Sequence, residues 1–205
     1  MKKTVFILLF LLLGASVKSQ DIRSLFMSAP DDVLPLLSQD ARADFLDYAD
    51  AGMVVGVTNR LDGVSFMTEL TDDYIALKTT NSSTMQIKML PLEDGGHILA
   101  VVKSVKAEAE NSHVEFYDLD WKKLPGVDFF EVPAIEDFFI SPDSAVKYVD
   151  KCDMYLVKYS LTGNDTVLLT EYTMLSYMNI DDGKLLAPLM RNVVYRWNGR
   201  RFVRE

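Results

Sequence analysis

Met85-Gln86-Ile87-Lys88-Met89, then Asp94-Gly95-Gly96, then Ile98-Leu99-Ala100-Val101-Val102, is the stretch that decides the fold. Its first part alternates apolar and polar residues, the period of a strand with one wet face. A glycine turn follows, and the last part is apolar at every position, as suits a central strand covered on both faces. No helical pattern separates the two runs, so they are expected to pair as an antiparallel hairpin.

The same period extends outward. Val64, Phe66, Thr68 and Leu70 alternate with Ser65, Met67 and Glu69, and His113-Val114-Glu115-Phe116-Tyr117 repeats the pattern. Asp62-Gly63 and Asn81-Ser82-Ser83 supply further turns. Short strands joined by short polar turns make an antiparallel meander from Met53 onward.

Helical spacing precedes the meander. Ile22, Leu25 and Phe26 fall on one helical face, Pro30 and Pro35 interrupt, and Ser38 is placed to cap a helix from about Asp40 to Ala51. Leu37, Ala41, Phe45 and Tyr48 would line its buried side, with Arg42, Asp44 and Asp47 in water and Gly52 ending it. A second start follows the strands at Ser141-Pro142-Asp143, which combines a capping hydroxyl, proline at the first helical position and an acid at the positive end. Alternation returns at Tyr155, Val157, Tyr159 and Leu161 and again over Thr166–Met174, after the turn residues 162–165.

The chain closes on Val193, Tyr195 and Trp197, Asn198-Gly199, and Arg200–Arg204. Asn-Gly predicts a two-residue type I′ hairpin, which would set Tyr195 opposite Phe202 and Arg196 opposite Arg201. The fold class expected is therefore α+β, mostly antiparallel sheet packed by a few helices. Ser38-x-Asp40-x4-Phe45-Leu46-Asp47 is echoed by Ser141-x-Asp143-x4-Tyr148-Val149-Asp150. The echo fits either repeated capping chemistry or two similar helix-plus-meander lobes, over residues 20–125 and 126–205, or one continuous domain.

Residues 1–19 have the layout of a secretory signal peptide: Lys2-Lys3, an apolar run from Thr4 to Leu13, then small residues up to Ser19. The run is too short to span a bilayer, so the mature chain is expected to begin near Gln20, to be soluble and periplasmic or extracellular, and to carry no transmembrane segment. The whole chain has 30 acidic and 21 basic residues, net −9. Without Lys2, Lys3 and Lys18 the remainder stands at −12. Such a charge disfavours nucleic acid and anionic membrane surfaces. Cys152 is the single cysteine, so no internal disulfide forms; it is either a buried small hydrophobe or an intermolecular partner.

The chain resembles an uncharacterised family of small exported bacterial proteins, domain of unknown function 3256. The residues that carry the likeness are Phe26 with Pro30-Asp31, Leu34-Pro35-Leu36-Leu37, Arg42 with Leu46-Asp47-Tyr48, Asn59-Arg60-Leu61-Asp62-Gly63 and Leu90-Pro91. Phe116-Tyr117-Asp118-Leu119-Asp120-Trp121 and the closing stretch Tyr195–Val203 complete the set. The resemblance implies export and a compact domain, with no substrate and no active-site residues to transfer.

Chemistry-bearing patterns are sparse. His97 and His113 have no ligand spacing, and no nucleophile elbow, zinc-helix, phosphate-loop or dinucleotide motif occurs. No metal and no cofactor is expected. Asp118 and Asp120 would share a face if their strand continued, giving paired carboxylates for acid and base work; if the strand has ended, both face water at a turn. Arg191, Arg196, Arg200, Arg201 and Arg204 cluster on this acidic chain. They either pair with the protein's own acids or, with Trp197, form a partner surface. The leading expectation is a non-enzymatic exported binding protein, partnered by a protein or glycan of the cell envelope, with Arg196, Trp197, Arg200 and Arg201 as the candidate surface. A small envelope hydrolase working through carboxylates is the alternative.

Overall fold

The computed structural model describes residues 21–205; the signal-peptide assignment over residues 1–19 lies outside them. Helix α1 (Ile22–Ser28) begins at Asp21, whose carboxylate accepts from the Ser24 N–H, and helix α2 (Gln39–Asp50) begins at Ser38, whose hydroxyl accepts from the Ala41 N–H. Gly52, at φ +68°, ends α2 where a side chain would be strained. Seven strands then form one antiparallel meander in chain order: β1 (Gly56–Thr58), β2 (Val64–Leu70), β3 (Tyr74–Lys78), β4 (Ser83–Pro91), β5 (His97–Lys106), β6 (Glu110–Tyr117) and β7 (Lys123–Leu124). Helix α3 (Pro142–Tyr148) starts at Ser141 as its capping pattern predicts. A second meander of β8 (Val157–Ser160), β9 (Val167–Tyr172), β10 (Val193–Trp197) and β11 (Phe202–Arg204) completes the fold, with helix α4 (Ile180–Leu186) between β9 and β10. The fold is α+β.

Two cores lie on opposite faces of the seven-stranded sheet. One face buries Ile75, Leu77, Ile87, Leu99 and Val101 against Phe26, Leu34 and Phe45 of the N-terminal helical region. The other buries Leu90, Ile98, Ala100, Val102 and Phe116 against Leu168, Tyr195, Trp197 and Phe202 of the four-stranded sheet. The run Ile98–Val102 is therefore covered on both sides, each residue no more than 4% exposed. The second core is built from residues on both sides of the 125/126 boundary.

Strand β3 has no alternating signature because both its faces are covered: Tyr74, Ile75 and Leu77 are all buried. The period-2 reading consequently passes over it.

Arg42 corrects the expectation that it sits in water, for it is 1% exposed. Its guanidinium donates to the carbonyls of Leu37 (3.2 Å), Met27 (3.3 Å) and Ala29, and to Asp31 (3.3 Å). The Met27 and Ala29 carbonyls lie at the end of α1, where helical carbonyls lack their own donors. The arginine closes that end.

The C-terminal hairpin is also shifted. Trp197 pairs with Phe202, Arg196 with Val203 and Tyr195 with Arg204, leaving a four-residue loop, 198–201. Of the loop residues only Gly199 has positive φ (+92°), so the turn is not type I′. The Asn198 side chain instead accepts from the N–H groups of Arg200 and Arg201, both at 2.9 Å. A two-residue slip keeps every side chain on its expected face, so hydrophobic pattern alone cannot distinguish the two registers.

Candidate functional site

The face of the large sheet that meets the small one grades from apolar to polar along the strands. The rung of Leu90 and Ile98 is wholly apolar, and the next pairs Tyr74, Lys88, Ala100 and Phe116. Then come Ala76, Gln86, Val102 and Val114, and last Lys78, Thr84, Ser104 and Ser112. The small sheet covers the apolar rungs. At the polar end the sheets part, and β8 forms one wall of a groove of about 390 Å³.

The groove floor is hydroxyl-rich. Thr80, Ser82, Ser83, Thr84 and Ser104 line it; the Thr80 and Ser83 hydroxyls meet at 2.7 Å, and Ser104 bonds Ser112, outside the lining, at 2.7 Å. Lys78, Lys106 and Lys158 stand around it, with Glu110 as the one carboxylate among its lining residues. Glu110 already pairs with Lys158 at 3.0 Å. Lys78 and Lys106 have no ion pair or side-chain hydrogen bond among the described residues. The local balance is positive on a strongly acidic chain.

The closed end of the groove is crossed by hydrogen bonds. Gln86 exchanges hydrogen bonds with the Leu161 backbone, and its Nε2 also donates to the Tyr74 hydroxyl at 2.8 Å. Burial pushes Tyr74 up to about 12, so the phenol stays protonated and donates to the Leu161 carbonyl at 3.1 Å. Lys88, 1% exposed, is held by Asp73 at 3.0 Å and by the Gly163 carbonyl at 3.2 Å. These bonds fix the 161–163 turn to the large sheet.

The residues expected to form a partner surface are not brought together. Trp197 is a core residue, 6% exposed, with its indole Nε1 donating to the Pro91 carbonyl at 2.6 Å and its ring stacked on Phe129 and meeting Phe202 edge-on. Its place in that surface is corrected, because strand alternation turns Trp197 inward and Arg196 outward. Arg196 pairs with Glu205 at 2.5 Å, Arg200 with Glu93, and Arg201 lies 3.9 Å from Glu131. Arg204 pairs with Asp137. The hairpin arginines are thus matched to this chain's own acids. Arg191 is exposed and carries no ion pair among the described residues.

Strand β6 ends at Tyr117, so Asp118 and Asp120 belong to the following turn. The Asp118 carboxylate accepts from the N–H groups of Asp120 (3.0 Å) and Lys122 (2.9 Å), while Asp120 is exposed. Among the described residues no group of three or more His, Cys, Asp or Glu side chains could hold a metal ion. Cys152 is buried, and burial pushes its thiol up. Glu115 is the strongly perturbed carboxylate. It is 11% exposed and receives Lys103 and the Tyr117 hydroxyl at 3.0 Å each, together with Lys123. Burial opposes its ionisation, yet these donors hold it at about 2.

Sequence reasoning missed the groove. Its signal was present in the polar members of the strand pattern, Thr84, Gln86 and Lys88 on β4 and Ser104 and Lys106 on β5. Alternation assigns such residues to solvent, and here a second sheet comes down beside them.

Fold and groove together define an α+β protein in which two antiparallel meanders share a core at one end and open a cleft lined by lysines and hydroxyls at the other. The chain belongs to the family described as protein of unknown function DUF3256, which matches residues 14–202. A domain of an uncharacterized protein from Porphyromonas gingivalis W83 is similar in structure, with a TM-score of 0.76 and 24% identity over 88% of this chain and 97% of that one. At that identity the likeness speaks for the fold alone. Comparison with curated proteins yields no match.

Proposed function

We propose that this protein is an exported, non-enzymatic binding protein of the cell envelope, and that it seats its ligand in the groove between the sheets. The observation that carries this reading is the lining: hydroxyls on the floor, two uncommitted lysines and one paired carboxylate. A volume of about 390 Å³ suits a small-ligand or chain-segment cleft. The signal-peptide layout of residues 1–19 supports export, and among the described residues no helix is long and apolar enough to cross a membrane. Carboxylate-based hydrolysis needs two acids flanking the scissile bond. The groove offers one, and Asp118 and Asp120 serve a turn elsewhere, which favours binding over the hydrolase alternative.

Co-purification from native envelope extract tests the reading. Thr84→Trp places a large ring on the exposed groove floor, while Arg196→Glu with Arg201→Glu reverses charge on the hairpin. The expected result is that Thr84→Trp loses the material recovered with wild type and the arginine double variant keeps it, with the material recovered uncleaved. The opposite pattern would move the binding surface to the hairpin, and recovery of cleaved product would restore the hydrolase.

A further inference from the structure

We propose that the groove takes an acidic saccharide, a hydroxyl-rich chain carrying carboxylates. This inference rests on the groove being the ligand seat and names the class of ligand it takes.

Three features of the lining select among anionic and neutral ligands. The floor rung sets Lys78, Thr84 and Ser104, one cation and two hydroxyls, side by side across three strands, and Lys106 lies on the same face two residues beyond Ser104. Lys78 and Lys106 sit two strand spacings apart, about 10 Å across the sheet. Neither has an ion pair among the described residues. Two ammonium groups flanking hydroxyls match a polyol that bears negative charge at intervals.

Other classes fit less well. Dense phosphate charge is ordinarily held by arginine forks or by the N–H groups of a helix start, and neither lines this groove. Glu110 in the wall also repels a highly charged anion. An extended peptide would recognise β8 by adding to its edge. That edge is already occupied at both ends: the Val157 N–H donates to Asn111 Oδ1 at 3.2 Å, and the Leu161 N–H donates to Gln86 Oε1 at 2.9 Å. Backbone groups alternate in direction along a strand, so Tyr159 alone remains between them, too little for a ladder.

The test uses the purified protein on an array of uronic-acid oligosaccharides printed beside neutral oligosaccharides of matching length, followed by calorimetry on the best ligand of each kind. Uronic oligomers are expected to bind and neutral ones to bind far more weakly. Lys78→Gln and Lys106→Gln should each weaken uronic binding by about tenfold, the loss of one charge-assisted hydrogen bond, and should leave the melting temperature close to wild type. Raising salt should weaken binding in wild type and less in the double variant. Equal binding of neutral and uronic oligomers, unchanged by either lysine substitution but abolished by Thr84→Trp, would overturn the acidic inference and leave the groove as the seat. Competition by millimolar inorganic phosphate would reassign the lysines to a simple anion site. Absence of binding to every saccharide overturns the inference outright, while the co-purification result with Thr84→Trp decides separately whether the groove is used.

Discussion

Gln86 and Leu161 bind each other twice: the Gln86 Nε2 donates to the Leu161 carbonyl at 3.1 Å, and the Leu161 N–H donates to Gln86 Oε1 at 2.9 Å. A carboxamide from one sheet thereby takes the place of a neighbouring strand at the edge of the other. The pair satisfies the Leu161 N–H, which would otherwise face the groove bare, and with the Tyr74 hydroxyl it ties the two sheets together where their shared core ends.

Replacing Gln86 by Leu removes both bonds and leaves the Leu161 N–H without an acceptor in a half-buried place. An unsatisfied buried polar group costs about 1–3 kcal/mol, so Gln86→Leu should lower stability by about that amount. Urea denaturation followed by tryptophan fluorescence measures it. A midpoint equal to wild type would mean that water replaces the carboxamide without loss.

Arg42 and Arg60 both pair with Asp31, at 3.3 Å and 2.8 Å, but only Arg42 is buried. The expected effects therefore differ. Arg42→Met strips donors from the carbonyls of Leu37, Met27 and Ala29 and should cost about 3 kcal/mol or more. Arg60→Met breaks an exposed pair and should leave the denaturation midpoint close to wild type. Equal losses in the two variants would place the stabilising role in the ion pair with Asp31 rather than in the carbonyl bonds.

The alternating strands, the starts of α2 and α3 and the buried run Ile98–Val102 could be read from the sequence because each follows from local rules of period and capping, whereas β3, covered on both faces, could not. Arg42 could not. Its helical position says only which way the side chain leaves α2, and two of the carbonyls it serves, those of Met27 and Ala29, come from a segment more than ten residues earlier. The hairpin register failed for a related reason: Tyr195 and Trp197 face the core in either register, and the observed loop is one in which the Asn198 side chain accepts from the Arg200 and Arg201 N–H groups. The groove was hidden because it depends on how far the small sheet extends over the large one. That is a matter of packing between distant segments, and no periodicity records it.

Gly199 retains a structural role although the turn is not the expected type. At φ +92° a β-branched residue is strained, and a Cβ there would lie 2.7 Å from Glu93 Cγ. Gly199→Val is expected to cost about 1–3 kcal/mol, read as a fall in melting temperature. Gly199→Asn, which tolerates positive φ better, should fall less. Equal falls would assign the loss to the clash with Glu93 rather than to backbone conformation.

Glu115 gives the protein a defined acid limb. Burial raises the cost of its charge, but hydrogen bonds from Lys123, Lys103 and the Tyr117 hydroxyl outweigh that cost and hold the folded carboxyl at about 2, against 4.5 for the free group. A carboxyl depressed in the folded state binds its proton more readily when unfolded. Its contribution is therefore fully present above about pH 4.5 and is lost as pH falls through that value toward 2. The difference corresponds to about 3 kcal/mol. Wild type should lose stability steeply between pH 5 and pH 2 in urea titrations at fixed temperature. Glu115→Gln cannot bind the proton, so its stability should be lower at pH 7 and its slope across the same window shallower. Parallel curves for the two proteins from pH 7 to pH 2 would show that other carboxylates set the acid limb and that the charge on Glu115 contributes nothing net.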